Sequence, residues 1–314
     1  MERQNRINLL MQALIIISFL PSGSFSQYQR QINFRQNPYP EAVSVYAQVL
    51  NRKTTLFAGG LRKEDFTIFQ GGVRQDIGEF IEEDSPVSVV LLLDISGSMQ
   101  SDINLIKAVV TESLRPLKRD DEVSLVTFAD KPEVVVEFTK DKNLVNEKVG
   151  ELSRKRIHGT TNEREGLFFA ATHLNNASNS SGRRIILVIT DNISNNSSQP
   201  HSHKDVINAL TVGDVIVHGL ITSKGESALM PVLNFRSGFG PYIQETGGVL
   251  LDLGSSRARS KLNALMQNLH RRYVLRFKPS DLKGNKRNGE IKLKISPEVE
   301  KREGKMEVLI RPSL

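Results

Sequence analysis

Five apolar runs rich in β-branched residues, continuous along much of their length, constrain this chain most: 87–93, 122–128, 184–190, 215–221 and 249–253. A strand with no polar face reads as buried on both sides, the situation of a parallel sheet covered by helices. Helical patterns separate the runs, at 103–117, 144–153, 164–174, 205–210 and 258–270. Strands that alternate with helices build βαβ units, so residues 86–270 are expected to form a doubly wound, mostly parallel α/β sheet of Rossmann-like type.

The flanks read differently. Residues 42–50 and 65–69 alternate apolar and polar side chains, Gly71-Gly72 marks a turn, and 73–80 continues the β pattern. Alternation returns at 273–277, 290–295 and 306–310, with a polar turn at 283–289 and Pro279, Pro297 and Pro312 as breakers. Two small strand sets would each struggle to bury a face. The expectation is that 27–85 and 271–314 complete one all-β, Ig-like sandwich that flanks the α/β domain or carries it as an insert.

At the N-terminus Arg3 and Arg6 precede the apolar run 9–20, which ends at Pro21 and small residues through Ser26. This is the pattern of a secretory leader, cleaved after Ser26. Its length falls well below the ~20 residues of a membrane-spanning helix, so no transmembrane segment is expected once the leader is removed. The chain has no cysteine, which excludes disulfides, a lipid-modified cysteine and thiolate metal sites. An exported, disulfide-free chain fits a bacterial envelope setting, whether periplasmic, surface-held or released. The net charge of +7 is dispersed without a nucleic-acid motif, so nucleic acid is not an expected partner.

The chemistry concentrates where the first buried run ends. Asp94, Ser96 and Ser98 form D-x-S-x-S at the C-terminal edge of the sheet, where open α/β sheets bind ligands. Gly97 allows the tight bend that aims alternate side chains at one point. Thr161, after Gly159-Thr160, and Asp191, after Thr190, stand at later loops of the same edge. All these donors are oxygens, which suit Mg²⁺, Mn²⁺ or Ca²⁺. Serines at such a position also cap helices, a role that leaves Asp94, Thr161 and Asp191 unexplained. His158 stands beside the Thr161 loop as a rim or capping residue. His201-Ser202-His203 with Asp205 lies in a polar stretch where solvated histidines are expected.

This set resembles the metal-ion-dependent adhesion site of the von Willebrand factor A family. The resemblance implies that Ser96, Ser98 and Thr161 supply hydroxyl ligands and that Asp94 and Asp191 ligate directly or through water. Gly60 to Phe66, Gln70 to Gln75, Pro86 and Arg272 to Leu275 extend the likeness to exported bacterial proteins of this type first described in Acidobacteria. Two departures bear on the binding rim: Asn192 stands where relatives commonly have Gly, and Arg164-Glu165 where many carry an aromatic-Asp pair.

The resemblance implies a binding module and not an enzyme, one whose cation accepts a carboxylate from an Asp or Glu of a protein partner. The alternatives are an envelope scaffold with a purely stabilising ion, and a metal-dependent hydrolase, which would need a positioned base and a substrate pocket.

Overall fold

The computed structural model describes residues 42–53, 56–179, 182–192, 200–222, 238–279 and 290–313. Residues 44–313 form one compact unit, and the leader and the 283–289 turn lie outside the described residues. The strands are β1 (Val43–Asn51), β2 (Phe66–Gln70), β3 (Val73–Gln75), β4 (Ile77–Asp84), β5 (Val87–Asp94), β6 (Glu122–Phe128), β7 (Pro132–Thr139), β8 (Arg183–Thr190), β9 (Val215–Ile221), β10 (Leu250–Asp252), β11 (Arg271–Phe277), β12 (Ile291–Ile295) and β13 (Met306–Ser313). The helices are α1 (Ile103–Leu114), α2 (Lys142–Leu152), α3 (Glu163–His173), α4 (His203–Val212), α5 (Gly240–Glu245), α6 (Ala258–Asn268) and α7 (Pro297–Glu303).

The apolar runs form the centre of a six-stranded sheet ordered β10-β9-β8-β5-β6-β7. Five of its strands are parallel, and β7 closes one edge antiparallel to β6. Every residue of β5 and β6 is buried, as strands covered on both faces require. The pleat divides β5 between two cores. Val89, Leu91 and Leu93 pack with Ile106 and Val110 of α1, Val145 of α2 and Leu262 of α6. Val90 and Leu92 point the other way, toward Leu167 and Ala170 of α3, Leu210 of α4 and Ile243 of α5.

The chain steps from β5 to β6 in one direction and later returns to β8 on the other side of β5. That reversal opens a crevice at the carboxyl ends of β5 and β8, the place where such sheets bind ligands. Three elements depart from the sequence expectation. β7 has charged residues at Glu133 and Glu137 and opens on Pro132, which an edge strand tolerates because one row of its N–H groups needs no partner. The short helices α5 and α7 each open with a proline near the N-terminus and span less than two full turns, too little for a periodic apolar signal.

The remaining strands build a four-stranded sheet, β13-β1-β11-β4, and a three-stranded sheet, β12-β2-β3. Each combines strands from before residue 85 with strands from after residue 271. Tyr273 of β11 is fully buried against Phe57, Phe66 of β2 and Phe80 of β4, with ring centroids 5.0–5.4 Å away. Its hydroxyl donates to the Ala58 carbonyl at 2.6 Å and accepts the Leu61 N–H at 3.1 Å. This aromatic packing joins the two sheets.

Both chain crossings into the α/β region meet at one buried cluster. Ser85 N donates to His270 O at 3.1 Å, and His270 Nε2 donates to Asp121 Oδ2 at 2.7 Å. Asp121 also accepts the Val87 N–H at 3.0 Å. Burial pushes the Asp121 carboxyl up, but His270 and the Val87 N–H outweigh it and hold the group below the usual carboxylate range.

Candidate metal centre

β5 delivers Asp94 to the crevice fully buried. Directly after it, Ile95 N donates to Phe128 O at 2.9 Å, tying the loop to the end of β6. Asp94 Oδ1 accepts the Ser96 N–H at 2.9 Å, and this turn brings Ser96 and Ser98 to the same side with their hydroxyl oxygens 3.2 Å apart. A 3₁₀ turn over Gly97–Asp102 then leads into α1, and Met99 anchors it by full burial in the core. Ser96 occupies the N-cap position of that turn, yet its side chain makes no capping hydrogen bond. The hydroxyl is directed to Ser98, which removes helix capping as the reason for Ser96.

The second loop is held against the first by backbone contacts. Gly97 N donates to Gly159 O at 3.1 Å, and Ile157 N donates to Gln100 Oε1 at 2.8 Å. Gly159 has φ +108, and a Cβ there would lie 2.9 Å from Asp130 Oδ2, so glycine is required on both counts. Asp130 fixes the next residue through bonds from Thr160 N at 2.8 Å and Thr160 Oγ1 at 2.7 Å. Those bonds hold its carboxyl below the usual range. Thr161, buried, follows two residues before α3 begins. His158 is exposed at the rim beside Asp130.

The third piece comes from β8. Thr190 Oγ1 donates to Asp94 Oδ2 at 2.7 Å and accepts the Asn192 N–H at 2.9 Å, so both Asp94 oxygens are oriented by neutral donors. Asp191, 5% exposed, follows directly. Asn192 adopts φ 59, a left-handed conformation that Asn tolerates better than other non-glycine residues. Its side-chain oxygen accepts the Phe239 N–H at 3.0 Å, which glycine at this position would not offer. Burial pushes the Asp94 carboxyl up to about 6; the bonds from Ser96 and Thr190 oppose the shift and the nearby Asp191 charge adds to it.

Two buried carboxylates, Asp94 and the nearby Asp191, alongside paired hydroxyls form an all-oxygen donor set of the kind a hard cation takes. Among the described residues no three His, Cys, Asp or Glu side chains converge on a metal position. An ion here therefore depends on hydroxyl donors, which Ser96, Ser98 and Thr161 carry. Thr190, Asp130 and Gly159 are the residues that sequence reasoning missed. Gly159 and Thr190 left a trace as the residues leading into Thr161 and Asp191, and Asp130 left none. The histidine stretch is corrected: His201 stacks on Phe168 at 3.6 Å and its Nδ1 lies 2.8 Å from Glu165 Oε1, while Ser202 caps α4 in a capping box with Asp205. The stretch is a helix start in which His201 is partly packed, while His203 remains exposed as expected.

The fold is an α/β domain built on a mostly parallel, doubly wound sheet. Residues 89–194 match the model of the von Willebrand factor type A domain, and all five residues singled out lie within the match. No curated protein matches the chain. Similar solved structures include an aerotolerance-related membrane protein from Bacteroides fragilis with multiple mutations to serines (18% identity, 58% of this chain and 98% of that one, TM-score 0.43). Conserved hypothetical protein BatB from Bacteroides thetaiotaomicron is similar at 18% identity, over 57% of this chain and 96% of its own, with a TM-score of 0.42. Manganese-loaded TRAP protein from Plasmodium vivax is similar at 18% identity, over 68% and 80%, with a TM-score of 0.46. At these values the likenesses carry no functional argument.

Proposed function

We propose that Asp94, Ser96, Ser98, Thr161 and Asp191 bind one divalent cation, and that the chain uses it to hold a carboxylate presented by a protein partner. The observation that carries this reading is Asp94: a fully buried carboxylate, both of whose oxygens are oriented by neutral donors, beside a second carboxylate and a pair of hydroxyls. Burying such charge without a counterion is unfavourable. A cation offsets that penalty.

Mg²⁺, with Mn²⁺ and Ca²⁺ as alternatives, is the expected ion because every donor is oxygen. The ion would supply an electrophilic position for an incoming Asp or Glu carboxylate. The residues of this chain hold the ligand loops in place: Thr190 and the Ser96 N–H fix the Asp94 carboxylate, Asp130 and Gly159 fix the Thr161 loop, and Asn192 fixes the exit from β8. These are positioning roles suited to binding.

The reading places this module in an exported protein, delivered by the leader at 1–26. We further propose the domain limits 27–85, 86–270 and 271–314, the outer two completing one β unit around the α/β domain. Strands from both outer segments share each of the smaller sheets, which supports that division. No helix among the described residues is long and apolar enough to cross a membrane.

Isothermal titration of Mg²⁺ and Mn²⁺ into the wild-type chain and Asp94→Ala tests the function. Saturable binding at one site, lost in the variant, is the expected result. Equal heats in both would refute it. A scaffold role predicts that Asp94→Ala loses thermal stability and retains partner capture from an envelope extract, whereas the binding role predicts that capture is lost.

A further inference from the structure

The loop that carries Thr161 is preceded by Arg154, Lys155 and Arg156, all exposed. The chain there is fixed against the Asp94 loop: Arg156 precedes Ile157, whose N–H is held by Gln100, and two residues later Gly159 accepts the Gly97 N–H. A Cβ on Gly97 would come within 3.9 Å of the His158 backbone. The basic run therefore borders the metal edge itself.

None of the three forms an ion pair within the described residues, because the nearby acids are already engaged. Glu151, which feels Lys155 and Arg154 through space, is paired with Lys148 at 2.9 Å. Asp130 is taken by Thr160, with His158 adding a further nearby basic side chain. Basic residues after a helix also complement its C-terminal carbonyls, and Arg154 and Lys155 follow α2 closely enough to do so. Arg156 stands beyond that turn, over the loop contact. α3, which follows Thr161, opens with Glu163, Arg164 and Glu165, of which Glu163 is buried and Glu165 is bound to His201.

We infer that the partner is an acidic segment. One of its carboxylates meets the cation and further Asp or Glu residues lie along Arg154, Lys155 and Arg156, a charge match that sets orientation and association rate as well as affinity. This rests on the cation reading above.

The test uses the full-length chain, fluorescence anisotropy and two labelled synthetic peptides. Both carry a central Asp; one has glutamates on either side, and the other glutamines. In Mg²⁺ the glutamate peptide is expected to bind wild type about tenfold tighter, the combined effect of three exposed charge pairs. The triple variant Arg154→Gln, Lys155→Gln, Arg156→Gln should bind both peptides equally, with unchanged Mg²⁺ affinity and melting temperature. Equal binding of the two peptides by wild type overturns the inference, as does a preference that survives in the variant. So does a glutamate preference undiminished by chelator and shared with anionic vesicles or DNA, which would mark a general polyanion patch. If neither peptide binds in Mg²⁺ although Mg²⁺ itself binds, the carboxylate-capture reading fails and takes this inference with it.

Discussion

Lowering the pH from 7 to 5 should weaken cation binding by about tenfold, and the cause is one side chain. Burial pushes Asp94 up to about 6 from an ordinary 3.8. A ligand carboxylate must be ionised to bind metal, so protons compete with the cation below the raised pKa. At pH 7 about nine-tenths of the ion-free protein carries Asp94 ionised, and at pH 5 about one-tenth does, which gives the tenfold ratio. The same shift acts on stability. The folded-state pKa lies above the unfolded one, so the contribution is fully present below the ordinary value and is lost as pH rises through about 6. A displacement of about two units corresponds to about 3 kcal/mol of destabilisation at neutral pH. Asp94→Asn should then melt higher than wild type in chelator at pH 7 and show no melting shift when Mg²⁺ is added. Scanning calorimetry and titration calorimetry at pH 5 and 7 measure both quantities. Equal cation affinity at the two pH values, or an Asp94→Asn chain less stable than ion-free wild type, would refute the reasoning.

Other perturbations separate the parts of the structure. Gly159→Ala meets both a positive φ and Asp130 at 2.9 Å; it should cost about 1–3 kcal/mol and weaken cation binding, read by melting and calorimetry. Burial pushes His218 down to about 3, with the Arg183 charge adding to the shift. The unfolded chain therefore takes up a proton first, and stability falls as pH drops below about 6.5. By pH 4.5 that loss is about 3 kcal/mol, and His218→Asn, which keeps an acceptor for the Val249 N–H, should flatten the profile. His270→Ala removes the hydrogen bond that His270 makes to the buried Asp121 carboxylate; a loss of about 2 kcal/mol in urea unfolding is expected, with Mg²⁺ affinity unchanged.

Much of this molecule is legible in its sequence because burial on two faces leaves a plain mark. The run at β5 is apolar from Val89 to Leu93 since no residue in it meets water, and the D-x-S-x-S set follows because the turn after Asp94 must aim alternate side chains one way. Local signals of this kind failed wherever contacts join distant parts of the chain. Thr190 reads as an ordinary strand residue, and its bond to Asp94 spans 96 positions. Asp130 and Gly159 matter through each other, across a gap that no periodicity reports. β7 was hidden by its glutamates and its opening proline, which an edge strand accepts and a central strand would not. His201 looked solvated because its partners, Phe168 and Glu165, belong to a helix more than thirty residues earlier.

Soaking crystals of the chain in Mn²⁺ and recording anomalous scattering tests the central claim most directly. The account predicts one strong peak at the carboxyl edge of β5 and β8, about 2.0–2.2 Å from Ser96 Oγ and Ser98 Oγ, that disappears in Asp94→Asn. A peak elsewhere, such as beside His201 and Glu165, or none at an Mn²⁺ concentration that saturates binding in solution, would contradict it.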